Sequence, residues 1–381
     1  MNILYYIPGL SQQMGGLRQY AVALLKILAK DTENRYFIYH TVNDPEVAEV
    51  LRKNPHLTLI ENTGSKLAIS IQKKLTGKTR DRLVLEDICK KHEIHLAHCP
   101  YQYLPVADGV RAVCTMHDVQ EIHFPEYFSP EERAKRATDY LAFINQADRV
   151  IVSYQHIKND LVKYFRVAPG KVDVLLLEMD NLWLDKYTEA DLAPLTGLNL
   201  PDRFLFYATN TWAHKNHYKL LQALVELHQQ GHQDIKLVFT GHQTSYYDEH
   251  LKPYVEANNL QQSVIFAGVV DEKTLYNLYK KCVGVVVPTL YEAGSFPLME
   301  ALLLSVPVIC SNVTSLPETV GNAEFVFDPT NVADIAQKVK QLWDDAAFRE
   351  RSVSNGYQQA KKLRNTNALQ KIKDIYKAAT Q

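Results

Sequence analysis

Two glutamates separated by seven residues flank the start of a predicted helix in the second half of the chain. Between Glu292 and Glu300 lies AGSFPLM, in which Gly-Ser favours a turn and Pro297 suits a first helical turn. The N–H groups at such a helix start, together with the helix dipole, favour a phosphate. A carboxylate accepts two hydrogen bonds from a sugar diol, so Glu300 suits a ribose and Glu292 a hexose. The alternative is that Glu300 only caps a helix and Glu292 is solvated.

A lysine stands just after the first predicted strand of the second half of the chain. Lys215 lies in the segment WAHKNH, which opens a predicted helix over Tyr218–Gln230. Its ammonium group could neutralise diphosphate oxygens and stabilise charge that develops on a leaving group. A solvated lysine at the beginning of a helix is the simpler interpretation of a lone Lys.

Other candidates follow predicted strands in the first half of the chain. Gly15 and Gly16 permit close approach of the backbone to a ligand, but the G-x-G-x-x-G fingerprint of dinucleotide binding is absent. His117, in the segment TMHD, could hydrogen-bond a sugar hydroxyl or move a proton, or it is a structural histidine. His98 ends the preceding strand and is expected at the same edge of the sheet.

A basic segment interleaved with apolar residues runs from Lys66 to Arg82. It holds six basic residues and one acid, which gives a net charge of +5. This segment could dock on anionic lipid headgroups, and a solvated basic helix or loop explains it equally well.

The composition excludes several classes of protein. The 42 Lys and Arg balance 43 Asp and Glu, so no nucleic-acid partner is expected. The five cysteines include no C-x-x-C pair, which disfavours a disulfide framework and favours a reducing cytosol. The N-terminal segment MNILYYIPGL predicts a buried strand and not a signal peptide, and no apolar run is long enough to span a membrane.

The elements that must position these residues follow a regular alternation. Short apolar runs alternate with helical periodicity, which predicts parallel sheets covered by helices. A capping box at Ser129 and Glu132 marks one helix start. Because the order of elements restarts after a polar stretch, we predict two doubly wound, Rossmann-like α/β domains, residues 1–190 and 191–361. A cleft between two facing sheets is then the expected site, beyond the carboxyl ends of the strands.

Taken together, these residues resemble the retaining glycosyltransferases of family 4, which have the GT-B fold. The resemblance covers essentially the whole chain, and its most specific part is the E-x7-E element of Glu292 and Glu300. Lys215 matches the family's phosphate-binding lysine, Gly16 its glycine loop and His117 its active-site histidine.

The chain also departs from the family pattern. Many members have an arginine five residues before the lysine, where this chain has Asn210. His214, directly before Lys215, could supply part of the missing polarity. The G-F-G found within the E-x7-E element of many members is replaced here by Ala293-Gly294-Ser295.

The resemblance implies transfer of a hexosyl group, with mannosyl as one option, from a GDP-, UDP- or dTDP-linked sugar with retention at the anomeric carbon. The implied acceptor is a glycan or polyprenyl-linked glycan of surface polysaccharide biosynthesis, bound by the N-terminal domain. No cofactor and no metal are expected, and no D-x-D triplet occurs. The expected location is the cytoplasm, with the inner face of the membrane as an option.

The resemblance also assigns roles to individual residues. The expected catalytic residues are His117, Lys215 and Glu292. The expected donor contacts are Gly15, Gly16, Asn210, Lys215, Asn216, Val269, Gly294, Ser295, Phe296, Pro297, Leu298 and Glu300. The acceptor is expected near His98, Tyr101, Tyr103 and Asp118. The final helix, about residues 362–381, is expected to pack onto the N-terminal domain.

Two other functions stay open at this point. A GT-B-type nucleotide-sugar epimerase or hydrolase would share the fold and the donor site, and it would convert the donor in the absence of an acceptor. A non-catalytic nucleotide-sugar-binding protein is the second alternative, and it would bind the donor without turnover.

Overall fold

The computed structural model describes residues 1–10, 14, 16–42, 44–60, 79–103, 107–180, 182–195, 198 and 200–381. These residues divide into two compact units, Met1–Glu178 with Thr366–Gln381, and Met179–Asn365. The second unit begins at Met179 and not near residue 190, because the segment that follows is bonded within it. The N–H of Met179 donates to the carbonyl of Leu363, and the Arg364 guanidinium pairs with Asp185.

The first unit contains, in its described residues, a parallel sheet of seven strands. In spatial order these are β3 (Thr58–Ile60), β2 (Arg35–Tyr39), β1 (Asn2–Tyr6), β4 (Leu96–Cys99), β5 (Arg111–Met116), β6 (Arg149–Val152) and β7 (Val172–Val174). The strand order reverses between β1 and β4, which makes this the position where ligands bind in such sheets. The loop towards Gly16 leaves β1 at this position, and the loop that follows Cys99 leaves β4.

Among the described residues of the first unit, helices follow β1, β2, β5 and β6 along the chain, and one precedes β4, as expected for parallel strands joined by crossovers. They are α1 (Gly16–Leu28), α2 (Pro45–Lys53), α3 (Arg80–Lys91), α4 (Gln120–His123), α5 (Pro130–Gln146) and α6 (Gln155–Tyr164). The capping box predicted at Ser129 and Glu132 is present at the start of α5, with both reciprocal hydrogen bonds formed.

The second unit repeats this architecture with a parallel sheet of six strands among its described residues. In spatial order they are β10 (Val264–Phe266), β9 (Leu237–Thr240), β8 (Leu205–Ala208), β11 (Gly284–Val287), β12 (Val308–Ser311) and β13 (Val326–Phe327). The helices are α7 (His217–Gln229), α8 (Lys252–Ala257), α9 (Glu272–Lys281), α10 (Phe296–Leu303), α11 (Leu316–Val320), α12 (Val332–Asp344) and α13 (Ala346–Arg364). Strand β11 reads GVVV and is buried throughout, as expected for a strand covered on both faces.

The helix after α13, α14 (Ala368–Thr380), lies in the first unit and completes its core. Its residues Ala368, Ile372 and Tyr376 are fully buried there. The Tyr376 hydroxyl lies 2.7 Å from Nδ1 of His98, and the Thr115 hydroxyl lies 3.3 Å from Nε2 of the same ring.

His98, expected near the acceptor, lies inside the core of the first unit. The side chain is fully buried, and its two ring nitrogens contact Tyr376 and Thr115. Burial lowers the pKa of His98 to about 3, so the imidazole is neutral at pH 7. His98 therefore joins α14 to the sheet through its two ring nitrogens.

Two of the sequence predictions fall on residues whose structure is not described. Gly15 is one, and the basic segment Lys66–Arg82 lies outside the described residues as far as Lys78. Within the part of the chain that the structure does describe, every helix is too short or too polar to cross a membrane.

A close backbone approach fixes the loops that follow β8 and β9. Gly241 has φ +122°, and a Cβ there would lie 2.5 Å from the backbone carbonyl carbon and oxygen of Thr209. The N–H of Gly241 donates to the carbonyl of Gly268. The side-chain oxygen of Asn210 accepts a 2.7 Å bond from the N–H of His242. Only glycine fits this position without moving the segment before Lys215.

We therefore expect Gly241→Ala to destabilise the protein by about 2–3 kcal/mol, since it combines a steric overlap with a strained backbone. Thermal unfolding followed by circular dichroism should show a melting temperature lower by roughly 5–10 °C. Gly170→Ala is the matched control, because its added Cβ would meet nothing within 4 Å. Equal melting temperatures for the two variants would contradict the expectation.

Candidate active site

A buried ion pair joins the loops that follow two adjacent strands of the second unit. Lys215 ends the short 3-10 turn Ala213–Lys215 after β8, and Glu292 lies in the turn after β11. Lys215 Nζ is 2.6 Å from Glu292 Oε1, with side chains only 16% and 8% exposed. The predicted catalytic lysine and carboxylate are thus brought together by the adjacency of β8 and β11.

Both partners of this pair are held by their surroundings. Asn216 adopts the left-handed conformation with φ 61°, and its side-chain amide donates to the carbonyls of Pro288 and Pro329 at 2.9 Å each. The backbone of Glu292 is fixed by hydrogen bonds to the Thr314 and Ser315 hydroxyls. The side chain of Asn216, an expected donor contact, is therefore buried and bonded to protein carbonyls, and its contact with a donor stays a prediction.

Lys215 balances the negative charge of Glu292. Burial raises the pKa of Glu292, and the ammonium group of Lys215 opposes that rise. His214 does not add positive charge, because burial, reinforced by Lys215, lowers its pKa to about 4. Any polarity that His214 supplies in place of the missing arginine is therefore that of a neutral imidazole at neutral pH.

Glu300 is held in a different way. Its carboxylate accepts a 2.7 Å bond from the indole N–H of Trp183 at Oε1 and a 2.7 Å bond from the Tyr279 hydroxyl at Oε2. Burial raises the pKa of Glu300, and the bonds from Tyr279 and Trp183 oppose that rise. No sequence motif marks Trp183 or Tyr279, which are 117 and 21 residues away from Glu300.

The start of α10 carries unpaired polar groups. Ser295 precedes the helix and is 1% exposed, and its hydroxyl has no hydrogen-bond partner among the described residues. The Ser295 side chain makes no capping hydrogen bond to the N–H groups that follow at Phe296 and Leu298. Phe296 is exposed, whereas Pro297 and Leu298 are buried, so the first turn is only partly open to solvent. Gly294 lies half-buried in the turn that leads from Glu292 to Ser295.

A cavity of about 800 Å³ lies beside the loop that follows β10. Its lining combines Val269, Val270 and the start of α9 with Tyr187 and the segment around Ala193. Val269 is 76% exposed, and Asp271 caps α9 by accepting from the N–H of Thr274. Val269, one of the expected donor contacts, therefore lines a cavity.

In the first unit, His117 follows β5 and is half-buried. Its Nε2 donates to the carbonyl of Pro100 at 2.9 Å, and its ring meets the Tyr20 ring edge-on at 4.7 Å. Burial lowers the pKa of His117, so at neutral pH the ring is uncharged and Nδ1 is an acceptor.

The remaining residues predicted on the acceptor side lie in the first unit. The buried Tyr101 donates to the carbonyl of Pro8, and the exposed Tyr103 donates to Asp81. Asp118 lies 3.8 Å from the Arg136 guanidinium. Gly16 begins α1, and a Cβ there would meet nothing within 4 Å, so the local packing does not itself require glycine.

The fold and the site can now be compared with known proteins. The family described as Glycosyltransferase Family 4 matches residues 14–176, and the family described as Glycosyl transferases group 1 matches residues 193–359. These matches and the two parallel sheets define a glycosyltransferase with the GT-B fold. The chain belongs to glycosyltransferase family 4.

Individual relatives agree with this membership. O-antigen chain mannosyltransferase B of Escherichia coli is 26% identical over 388 residues, which cover 99% of this chain and 100% of that protein. Sucrose-phosphate synthase from Thermosynechococcus elongatus superposes with a TM-score of 0.68 at 19% identity, over 99% of this chain and 98% of that one. HepE from Anabaena, solved in complex with UDP, gives 0.71 at 15% identity, over 99% and 100%. Both of these solved structures have the same fold as this chain.

Removing the cation should make stability depend on pH. In Lys215→Ala the carboxyl of Glu292 stays buried without its partner, so its raised pKa rises further. Folding then favours the protonated carboxyl, and stability falls as pH increases above the unfolded value of about 4.3. We expect a destabilisation relative to the parent protein that grows between pH 5 and pH 8 and reaches about 3 kcal/mol.

Urea unfolding at pH 5, 6, 7 and 8 measures this difference. The double variant Lys215→Ala/Glu292→Gln is the control, because it has no buried carboxyl to ionise and should show no growth of the difference with pH. A destabilisation in Lys215→Ala that stays constant from pH 5 to pH 8 would show that Glu292 does not depend on the lysine.

Proposed function

We propose that this glycosyltransferase transfers a hexose, with mannose as the first choice, from a nucleotide-diphosphate sugar to a glycan or polyprenyl-linked glycan, with retention at the anomeric carbon. The observation that carries the proposal is the buried pair of Lys215 and Glu292 next to the uncapped start of α10. The printed function of the Escherichia coli relative, O-antigen chain mannosyltransferase, supports the sugar and the link to surface polysaccharides. A cytoplasmic location, where nucleotide sugars are available, belongs to the same proposal.

The donor side of the proposal follows from the chemistry of the second unit. The ammonium of Lys215, the hydroxyl of Ser295 and the N–H groups at the start of α10 offer donors to a diphosphate. Glu300 suits the ribose as an acceptor of hydroxyl hydrogen bonds. The cavity beside Val269 has room for a base. UDP in the related HepE structure supports a nucleotide donor of this kind.

The proposed reaction breaks the bond between the anomeric carbon and the β-phosphate oxygen. An acceptor hydroxyl attacks the same face of an oxocarbenium-like centre, and its proton passes to a departing phosphate oxygen. Lys215 stabilises the negative charge that develops on the diphosphate, so the step needs no metal ion and no protein nucleophile. When the ammonium group of Lys215 pairs with the diphosphate, the carboxylate of Glu292 becomes free to accept a hydrogen bond from a hydroxyl of the hexose.

The first unit is proposed to bind the acceptor, with His117 orienting the sugar that is transferred. The uncharged ring with an accepting Nδ1 suits a hydrogen bond from a sugar hydroxyl. Tyr103 and Asp118 remain candidates for the acceptor because both are at least partly exposed.

The role of Lys215 can be tested with a panel of donors. Thermal-shift screening of GDP-mannose, UDP-glucose and dTDP-glucose identifies the donor that stabilises the protein. With that donor, we expect Lys215→Ala to lower transfer at least about 100-fold, consistent with loss of one group that stabilises developing charge. Lys252→Ala, an exposed lysine of the same unit, should retain the parent rate. Near-normal turnover in Lys215→Ala would overturn the assignment, and a sugar altered without acceptor would indicate an epimerase.

The stereochemical course is a separate prediction. The donor and the product should carry the same anomeric configuration, because the acceptor attacks on the face that the diphosphate leaves. Proton NMR of the isolated product, recorded before any equilibration, distinguishes the two configurations. An inverted product would exclude the same-face reaction.

A further inference from the structure

We propose that Trp183 and Tyr279 are positioning residues that fix the plane of the Glu300 carboxylate and leave one lone pair on each oxygen for the two hydroxyls of the donor ribose. This inference rests on the proposed function, in which Glu300 binds the ribose. It adds two side chains outside the E-x7-E element to the machinery that determines specificity for the donor.

The hydrogen-bond geometry is the first argument. The terminal torsion of a glutamate is broad, so a carboxylate without fixed partners rotates freely about its last bond. Here one donor contacts each oxygen, Trp183 at Oε1 and Tyr279 at Oε2, both at 2.7 Å. Two donors on opposite oxygens define the plane of the group. A single donor would define only one end.

The number of acceptor sites is the second argument. An ionised carboxylate offers about four lone-pair sites, two on each oxygen. Trp183 and Tyr279 use one site on each oxygen, so one site per oxygen is left. A vicinal diol presents two O–H donors, one for each remaining site. The arrangement therefore matches a ribose better than a ligand with a single hydroxyl.

Both positioning side chains are themselves fixed. Tyr279 is fully buried in α9, and its ring packs edge-on against Phe206 at 5.0 Å. The segment of Trp183 is tied to the second unit by the Lys186–Glu272 pair and by the buried Leu184. A donor on a fixed scaffold orients its acceptor, whereas a donor on a loose segment would follow it.

The charge of Glu300 also favours binding of hydroxyl groups. Among the residues that the structure describes, Glu300 forms no ion pair, unlike Glu292 with Lys215. Its negative charge is stabilised by two neutral donors, which leave the group strongly accepting towards a hydroxyl. A cation in the same position would compete with the ribose for the remaining lone pairs.

The test compares ribonucleotides with their 2′-deoxy analogues, because only the former present the diol. Calorimetric dissociation constants for GDP, dGDP, UDP and dUDP give the ribose preference as a ratio within each pair. The variants are Trp183→Phe, Tyr279→Phe and Glu300→Gln. Tyr276→Phe, a buried tyrosine on the same helix, is the matched control.

We expect the parent protein and Tyr276→Phe to prefer the ribonucleotide by on the order of tenfold, the loss expected when a hydrogen bond to a charged group is removed. Each of Trp183→Phe and Tyr279→Phe should reduce this preference to about threefold or less, while deoxynucleotide binding changes little. A merely structural loss would weaken both members of a pair equally, and melting temperatures without ligand identify any variant that is unfolded. Tyr279→Phe decides the outcome if Trp183→Phe fails to fold.

The opposing outcomes are distinct. An unchanged ribose preference in both Trp183→Phe and Tyr279→Phe would overturn the positioning role. Tighter ribonucleotide binding in Trp183→Phe would overturn it too, because Trp183 would then occupy the ribose position. A ribose preference that survives in Glu300→Gln would overturn the ribose role of Glu300 itself. A parent protein that binds only dTDP-glucose would overturn this inference and leave the proposed function standing, because the sugar of dTDP has no vicinal diol. If the parent protein binds none of the four nucleotides and no donor of the thermal-shift panel, the proposed function itself fails.

Discussion

The second unit is organised around the cost of burying the charge of Glu292. A carboxylate with a side chain 8% exposed is tolerable only because Lys215 lies 2.6 Å away, and breaking such a pair costs about 3–5 kcal/mol. The two side chains come from loops after β8 and β11, which are separated along the chain and adjacent in the sheet. The pair therefore forms only when the parallel strand order is correct. Asn216, which joins the same turn to Pro288 and Pro329, reinforces that dependence.

The two glutamates of the E-x7-E element are both buried, but different partners stabilise their negative charges. Glu292 is paired with a lysine, whose ammonium group sits on a flexible side chain and can also pair with an incoming anion. The carboxylate of Glu300 accepts hydrogen bonds from two neutral donors, Trp183 and Tyr279. An incoming anion attracts neutral donors less strongly than it attracts a lysine. In the proposed function, the carboxylate of Glu292 changes partners when the donor binds, and the carboxylate of Glu300 keeps its orientation. A single short segment carries both an adaptable and a fixed acceptor.

Sequence reasoning reached the parts of the molecule that depend on local patterns. The alternating elements, the capping box at Ser129 and the shared site of Lys215 and Glu292 follow from spacing and from the rule that parallel strands end at one edge. It did not predict contacts between residues that are far apart along the chain. His98 ends a strand at that edge, but Tyr376, 278 residues away, covers it. The hydrogen bonds from Trp183 and Tyr279 to Glu300 were not predicted for the same reason, since no local pattern indicates which helix or loop will contact Glu300.

The chain path through the two units has a consequence for biosynthesis. Helix α14 is translated after the entire second unit, yet it covers β4 and β5 of the first. At about 5–20 residues per second, the first sheet waits on the order of 10–40 s on the ribosome before its last covering helix emerges. During that interval the second unit can complete its own core, while His98 and the apolar residues around it stay uncovered. The first unit to be synthesised is therefore the last to receive all of its covering helices.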